Sequence, residues 1–157
     1  MSVDELIDVK SVLQSSESVG YSDIERLSQI VCSDQVSELN NEVQALIRSI
    51  SEGQASAGLS ARAGIALHLL GKHKEAVTQL EKVQDNATAC FYQAVSLIAL
   101  KRYAEADQKL EAAAKLGYDS IECSLRRAET LRLVGKLDDA ESVLGTISKD
   151  AAGRAEY

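Results

Sequence analysis

The chain has 157 residues, which is enough for one domain or a short array of repeats with its own hydrophobic core. It has no proline and no tryptophan, and 45% of its residues are hydrophobic, so its composition favours an all-α protein over a strand-and-turn fold. The net charge of -7 argues against a phosphate-binding surface, and we expect no nucleic-acid partner. The acidic N-terminus is unlike a secretory signal, and no apolar stretch approaches the ~20 residues that span a bilayer. We therefore expect a cytoplasmic protein without membrane insertion.

The charge is distributed unevenly along the chain. Residues 1–56 carry ten acidic and three basic side chains, whereas residues 57–157 carry fourteen of each. A run of small and flexible residues at 51–58 marks the change. We predict an acidic N-terminal helical segment at 1–52, a linker at 53–58 and a second part at 59–157.

The N-terminal segment is predicted to form three helices. Ser2 and Ser22 are each followed three residues later by glutamate, a capping-box spacing that predicts helix starts near residues 3 and 23. Gly20 is predicted to end the first of these helices. The third helix has an apolar seam with intervals of 3, 4, 3 and 4, formed by Val36, Leu39, Val43, Leu46 and Ile50. The seam predicts packing within this segment, with a partner helix as the alternative.

An internal repeat organises the second part. The segments 69–76, 99–106 and 133–140 align, and their last residues are Ala76, Ala106 and Ala140. Small residues precede these alanines by twelve positions, where two helices can cross closely. Leucines lie nine positions before and four positions after, and are predicted to fill the core. The small residues are Gly64, Ala94 and Ala128, and the leucines are Leu67, Leu97, Leu131, Leu80, Leu110 and Leu144.

This pattern resembles the tetratricopeptide repeat (TPR) family, with three repeats at about 57–86, 87–120 and 121–154. The resemblance implies a right-handed superhelix of antiparallel helix pairs, an α-solenoid, here with an N-terminal helical extension. Ser60, Cys90 and Ser124 depart from the family, because they replace its bulky aromatic residue. The first repeat is also shorter than the family's period. Residues 151–157 resemble the opening of another first helix. They are predicted to be either a short capping turn or, as we favour, the point at which a longer array continues.

We find no sequence pattern for catalysis, metal binding or cofactor binding. His68 and His73 are five positions apart and so do not share a helix face. Asp138 and Asp139 open a predicted helix, where acidic side chains favour the helix dipole. The cysteines form no CxxC pair and are predicted to be buried, reduced thiols: Cys32, Cys90 and Cys123. We therefore expect a non-enzymatic protein with no cofactor.

The TPR resemblance places the first helix of each repeat on a concave, peptide-binding groove. An apolar surface of this kind is typical of an interaction site. We expect it to take an extended or helical peptide with apolar anchors and an acidic group for Arg126 or Arg132. Alternatively, the N-terminal helices cover part of this surface. The predicted groove residues are Ala61, Ile65, His68, Phe91, Tyr92, Val95, Ile98, Leu125, Arg126, Glu129 and Arg132.

The leading functional hypothesis is an adaptor or scaffold that binds a peptide or helix of a partner protein. Two alternatives remain open. One is a chaperone of type III secretion translocators, a class that small, acidic, three-repeat proteins resemble. The other is an oligomerisation scaffold, in which the array forms a homo-oligomer.

Overall fold

The computed structural model describes residues 6–15, 17–54 and 56–155, with backbone only at 150, 151 and 153–155. Within these residues every regular element is a helix, which confirms the predicted all-α class. The helices are α1 (Val9–Leu13), α2 (Tyr21–Val31), α3 (Val36–Ser51), α4 (Ala57–Leu69), α5 (His73–Leu80), α6 (Ala87–Ala99), α7 (Tyr103–Lys115), α8 (Ser120–Leu133) and α9 (Leu137–Ala155). Across the part of the chain that is described, no helix is both long enough and apolar enough to cross a membrane.

The chain divides into two compact units, one ending at Gln84 and the other beginning at Asp85. The first unit contains α1–α5 and the second contains α6–α9. This division falls after the first predicted repeat, because α4 packs against α1, α2 and α3 as well as α5. The helices before the predicted linker therefore share a core with the first hairpin. A separate role for residues 1–52 stays a prediction.

Several of the predicted helix ends differ from those observed, and residues 151–155, predicted to open a capping or further helix, instead continue α9. The structure begins α1 at Val9, where the Asp8 carboxylate accepts a hydrogen bond from the Ser11 amide at 3.2 Å. Ser2 lies outside the described residues. The second helix begins two residues earlier than predicted, because the carboxylate of Asp23 accepts a hydrogen bond from the Gly20 amide at 2.9 Å. Gly20 thus precedes α2 and does not end the first helix.

The predicted seam of α3 faces the core of the first unit. Four of its five residues are buried, and Val36 at the start of the helix is half-buried. The helix contacts α1, α2 and α4. Packing of the seam within the N-terminal segment is therefore confirmed in part, because α3 also packs extensively against α4, outside that segment. The buried seam residues are Leu39, Val43, Leu46 and Ile50.

Arg62 of α4 is a buried charge that joins the N-terminal helices to the first hairpin. Its guanidinium donates hydrogen bonds to main-chain carbonyl oxygens at the end of α1 and in the following loop, and lies 3.2 Å from the carboxylate of Asp23. The last carbonyl oxygens of a helix have no hydrogen-bond donor within the helix, and here the Arg62 guanidinium is their donor. The acceptors are the carbonyl oxygens of Val12 at 2.9 Å, Ser15 at 3.0 Å and Glu17 at 3.3 Å.

Three helical hairpins follow the predicted repeats: α4–α5, α6–α7 and α8–α9. Their second helices begin at His73, Tyr103 and Leu137, each three positions before the aligned alanine of its repeat, which reproduces the predicted register. In the first hairpin the helices cross at Gly64, where an added Cβ would overlap the Leu80 side chain. The close helix crossing predicted from small residues is thus confirmed at this position.

The second unit has its own apolar core between α6, α7 and α8. Its buried residues are Cys90, Phe91, Ala94, Leu110, Ala113 and Cys123. Burial raises the pKa of the Cys90 thiol and raises that of Cys123 to about 11, so both remain protonated at neutral pH. All three cysteines are free, as predicted, but Cys32 is exposed directly after α2, and the prediction of its burial is wrong.

Candidate functional site

In the first unit, the predicted groove residues Ala61 and Ile65 are buried and do not lie on an open surface. They belong to α4, which packs against α1, α2 and α3 in addition to its hairpin partner α5. The alternative in which the N-terminal helices cover this part of the predicted surface therefore agrees with the burial. His68, at the end of the same helix, is half-buried.

The rings of His68 and His73 are neighbours, with their centroids 5.2 Å apart. Their spacing of five positions does not place them on one helix face, but the turn after α4 folds α5 back and brings the rings together. The Nδ1 atom of His73 is buried without a hydrogen-bond partner. Two imidazoles alone do not make a metal site, and among the described residues no group of three or more ligating side chains could hold one.

In the second unit, Phe91 is buried in the core, although it was predicted to line the groove. Its ring stacks on Tyr118 with centroids 4.2 Å apart and meets the edge of Tyr92 at 5.6 Å. Tyr92, Val95 and Ile98 are half-buried and pack against the same cluster. Burial also raises the pKa of Tyr118 to about 12. The apolar residues of α6 thus contribute to the core, and any role in binding stays a prediction.

The predicted residues of α8 do reach the surface: Leu125, Arg126, Glu129 and Arg132 are all exposed. The Arg126 guanidinium lies 3.2 Å from the Glu122 carboxylate and 3.8 Å from that of Glu129. Exposed pairs of this kind contribute little to stability, so they can exchange for a ligand group at small cost.

An apolar cleft of about 390 Å³ lies between α8 and α9, and we call it the α8–α9 cleft. Leu125 and Leu144 are each 47% exposed and Leu137 is 62% exposed, so three large apolar side chains meet water here. This exposure corrects the prediction that Leu144 fills the core as Leu80 and Leu110 do. The cleft is lined by Leu125, Ala128, Glu129 and Arg132 of α8 and by Leu137, Ala140, Glu141 and Leu144 of α9.

Only the α8 half of the cleft was predicted. The resemblance pointed to the first helix of each repeat, so Leu125, Glu129 and Arg132 were included and every residue of α9 was missed. The repeat register assigned Leu144 to the core as the equivalent of Leu110. Leu144 is exposed because, among the described helices, α9 packs mainly against α8.

A second cleft of about 430 Å³ lies between the start of α7 and the end of α8. The carboxylate of Asp107 is at its wall and receives a hydrogen bond from the Arg127 guanidinium at 2.7 Å. This ion pair already joins α7 to α8. The Asp107 carboxylate is therefore engaged within the protein, and we regard the second cleft as the weaker candidate for a binding site.

The protein has an all-α fold of the TPR-like helical solenoid class. The chain is similar to solved structures of the protein MamA, at low sequence identity. A structure of MamA from AMB-1 has a TM-score of 0.68 and 18% identity over 92% of this chain and 81% of that one. A structure of MamA from MSR-1 has a TM-score of 0.68 and 20% identity over 91% and 76%. A third MamA structure has a TM-score of 0.69 and 16% identity over 95% and 88%.

No protein-family model matches the chain, and no curated protein matches it. At these identities the likeness to MamA shows the fold and nothing more.

Proposed function

We propose that this chain belongs to the TPR family and is a non-enzymatic protein-interaction module that binds a peptide or helix of a partner protein in the α8–α9 cleft. The observation that carries the proposal is the exposure of Leu125, Leu137 and Leu144 around one concave surface. A contiguous apolar patch with charged residues around it is typical of an interaction site. The predicted cytoplasmic location belongs to the same proposal.

The site is better placed on the third hairpin than along the whole predicted groove. Ala61, Ile65 and Phe91 are buried, so a ligand would have to open a core to reach them. Leu125, Glu129 and Arg132 are exposed and line one cleft, where a ligand meets them without any rearrangement. The charged side chains at its edge can orient a ligand whose apolar side chains contact the leucines.

Site-specific photo-cross-linking tests this proposal. A photoreactive phenylalanine analogue replaces Leu125 in the cleft or, as the matched control, Leu116, an exposed leucine outside it. In cells of the source organism, we expect the residue-125 variant to form a covalent adduct with a second, different polypeptide. The residue-116 variant should form none. Identical adducts at both positions, or none at either, would contradict the proposal.

The same experiment separates the alternatives. An adduct with twice the mass of the chain would favour an oligomerisation scaffold. An adduct with a single secreted protein would favour a chaperone, and adducts with several folded proteins would favour an adaptor.

A further inference from the structure

The docking of α8 within the second unit shows how a helix packs on a preceding hairpin in this protein. Cys123 of α8 is buried in one cluster with Phe91 of α6 and Leu110 of α7. One turn further along α8, Arg127 forms an ion pair with Asp107 of α7 at 2.7 Å. A small residue and a basic residue four positions later therefore form the contact face of α8.

The α8–α9 hairpin is the repeat that follows the α6–α7 hairpin. In the register set by Ala106 and Ala140, Leu110 corresponds to Leu144, and Asp107 corresponds to Glu141. Leu110 is completely buried, whereas Leu144 is 47% exposed. The third hairpin thus repeats the surface on which α8 packs in the second hairpin. Its leucine, Leu144, and its carboxylate, Glu141, both line the α8–α9 cleft.

We infer that the α8–α9 cleft binds an amphipathic helix of a partner protein that has the contact pattern of α8. This pattern is a small apolar residue at position i, arginine or lysine at i+4 and a large apolar residue at i+8. In α8 these positions are Cys123, Arg127 and Leu131, and the buried Leu131 lines the second cleft together with Tyr103 and Asp107 of α7. The basic residue would pair with Glu141 as Arg127 pairs with Asp107, and the small residue would pack on Leu144.

Charge complementarity favours such a helix over an acidic one. The charged side chains in the cleft are Glu129, Arg132 and Glu141; Glu129 already lies 3.8 Å from the Arg126 guanidinium, so Glu141 decides the charge preferred at i+4. An acidic residue at i+4 would meet the Glu141 carboxylate and be repelled. This inference rests on the proposed function and adds to it the secondary structure and the charge of the ligand.

A peptide copy of α8 is the most direct probe. It contains residues 118–134 with Cys123→Ala to prevent disulfide formation, and a hydrocarbon staple joins positions 125 and 129 on the face opposite residue 123. The staple is needed because an isolated helix of this length is only marginally stable in water. Fluorescence anisotropy with the labelled peptide and the full chain should give saturable binding.

Charge reversal and a matched leucine pair make the test specific. Glu141→Arg in the protein, or Arg127→Glu in the peptide, should each weaken binding at least tenfold, and combining them should restore most of it. Leu144→Gln should also weaken binding at least tenfold, whereas Leu116→Gln should leave it unchanged. Both leucines are exposed, and thermal unfolding by circular dichroism verifies that each variant is folded.

Three results would overturn the inference: no saturable binding of the peptide, equal binding by the Leu144→Gln and wild-type proteins, or no rescue by the combined charge reversal. A further outcome is a dimeric chain, seen by sedimentation equilibrium, that Leu144→Gln converts to a monomer. The occupant would then be a second copy, and the inference would also be wrong. If the photo-cross-link at residue 125 to a different polypeptide persists while the peptide fails to bind, the proposed function stands and only the α8-like pattern is rejected.

Discussion

Lys101 occupies the turn position at which the other two hairpins have glycine. Gly71 has a φ of 78° and Gly135 a φ of 80°, and Lys101 adopts the same left-handed region with a φ of 61°. For a residue with a Cβ this conformation costs about 1–2 kcal/mol, which glycine avoids. The second hairpin thus retains backbone strain that the first and third do not.

We predict that Lys101→Gly increases the free energy of unfolding by about 0.5–1 kcal/mol, because the relief of strain exceeds the extra entropy of glycine in the unfolded chain. Urea denaturation measures the change. Lys109→Gly in the interior of α7 is the control, and it should lower stability by about 1 kcal/mol. Equal losses in both variants would show that the turn at Lys101 is unstrained.

The ion pair of Arg62 and Asp23 responds to pH. Burial by itself raises the pKa of Asp23, but the hydrogen bond from the Gly20 amide and the nearby Arg62 guanidinium outweigh it, so the pKa lies below its usual value. The ionised carboxylate therefore stabilises the folded state. This contribution is complete above the unfolded-state pKa of about 3.9 and is lost as pH falls through the lower folded-state pKa.

We predict that Asp23→Asn lowers the free energy of unfolding by about 2 kcal/mol at pH 7, because it leaves the buried guanidinium without its carboxylate. The difference from wild type should begin to shrink below about pH 4, where Asp23 of the unfolded chain becomes protonated, and should disappear only below the lower pKa of the folded state. Urea denaturation between pH 3 and pH 7 measures both effects, with exposed Asp34→Asn as the control. A difference that stays constant over this range would contradict the assignment.

At the scale of the helices, equivalent positions of α6 and α8 have different environments. Phe91 and Leu125 occupy the same position in the second and third repeats. Phe91 is 6% exposed and stacks on Tyr118, whereas Leu125 is 47% exposed in the α8–α9 cleft. The first is therefore a core residue and the second a surface residue, although the sequence pattern assigned both to one groove.

We predict that Phe91→Ala lowers the free energy of unfolding by about 3–5 kcal/mol because it leaves a cavity in the core of the second unit. Leu125→Ala should change it by less than about 0.5 kcal/mol, as is usual for surface substitutions. Chemical denaturation of the two variants measures the contrast. Similar losses would mean that Leu125 is also part of a core.

The periodic features of the sequence predicted the hairpins well. The alanines Ala76, Ala106 and Ala140 gave the register, because close helix crossings require small residues whatever else surrounds them. The seam of α3 was equally clear. These features depend on contacts between neighbouring segments, which recur at fixed spacing.

The features that were missed depend on contacts between distant segments. Arg62 donates hydrogen bonds to carbonyl oxygens 45 to 50 residues earlier in the chain. No periodic sequence pattern predicts a contact of this kind. The exposure of Leu144 has the same origin, whereas the burial of Ile65 agrees with one of the two alternatives that the sequence left open. Ile65 and Leu144 both fit the repeat pattern. Whether each is buried depends on whether a helix from a distant part of the sequence packs on it.

At the scale of the whole molecule, the N-terminal helices are part of the first compact unit. Residues of α1, α2 and α3 contact α4, and Arg62 bonds to the loop that joins the first two helices. A fragment containing residues 53–157 would lose this cover and expose Ile65 and Arg62 of α4. The predicted linker at 53–58 is therefore a poor place to divide the protein.

We predict that the 53–157 fragment binds the dye ANS, loses helix content in its first hairpin and melts at a lower temperature than the full chain. Adding a separate fragment of residues 1–54 should reverse these changes. Circular dichroism and ANS fluorescence measure them. A fragment that melts cooperatively at the temperature of the full chain and binds no dye would show that the N-terminal helices are an independent segment.

If the α8–α9 cleft binds a partner protein, a charge placed inside it must weaken the complex with the purified partner that cross-linking identifies. Isothermal titration calorimetry compares the wild-type protein with the Leu144→Asp and Leu116→Asp variants, which place the same charge inside and outside the cleft. We predict a loss of at least tenfold in affinity for Leu144→Asp, about 1.4 kcal/mol or more, and a change of less than about twofold for Leu116→Asp. Equal affinities for the wild-type and Leu144→Asp proteins would contradict the account.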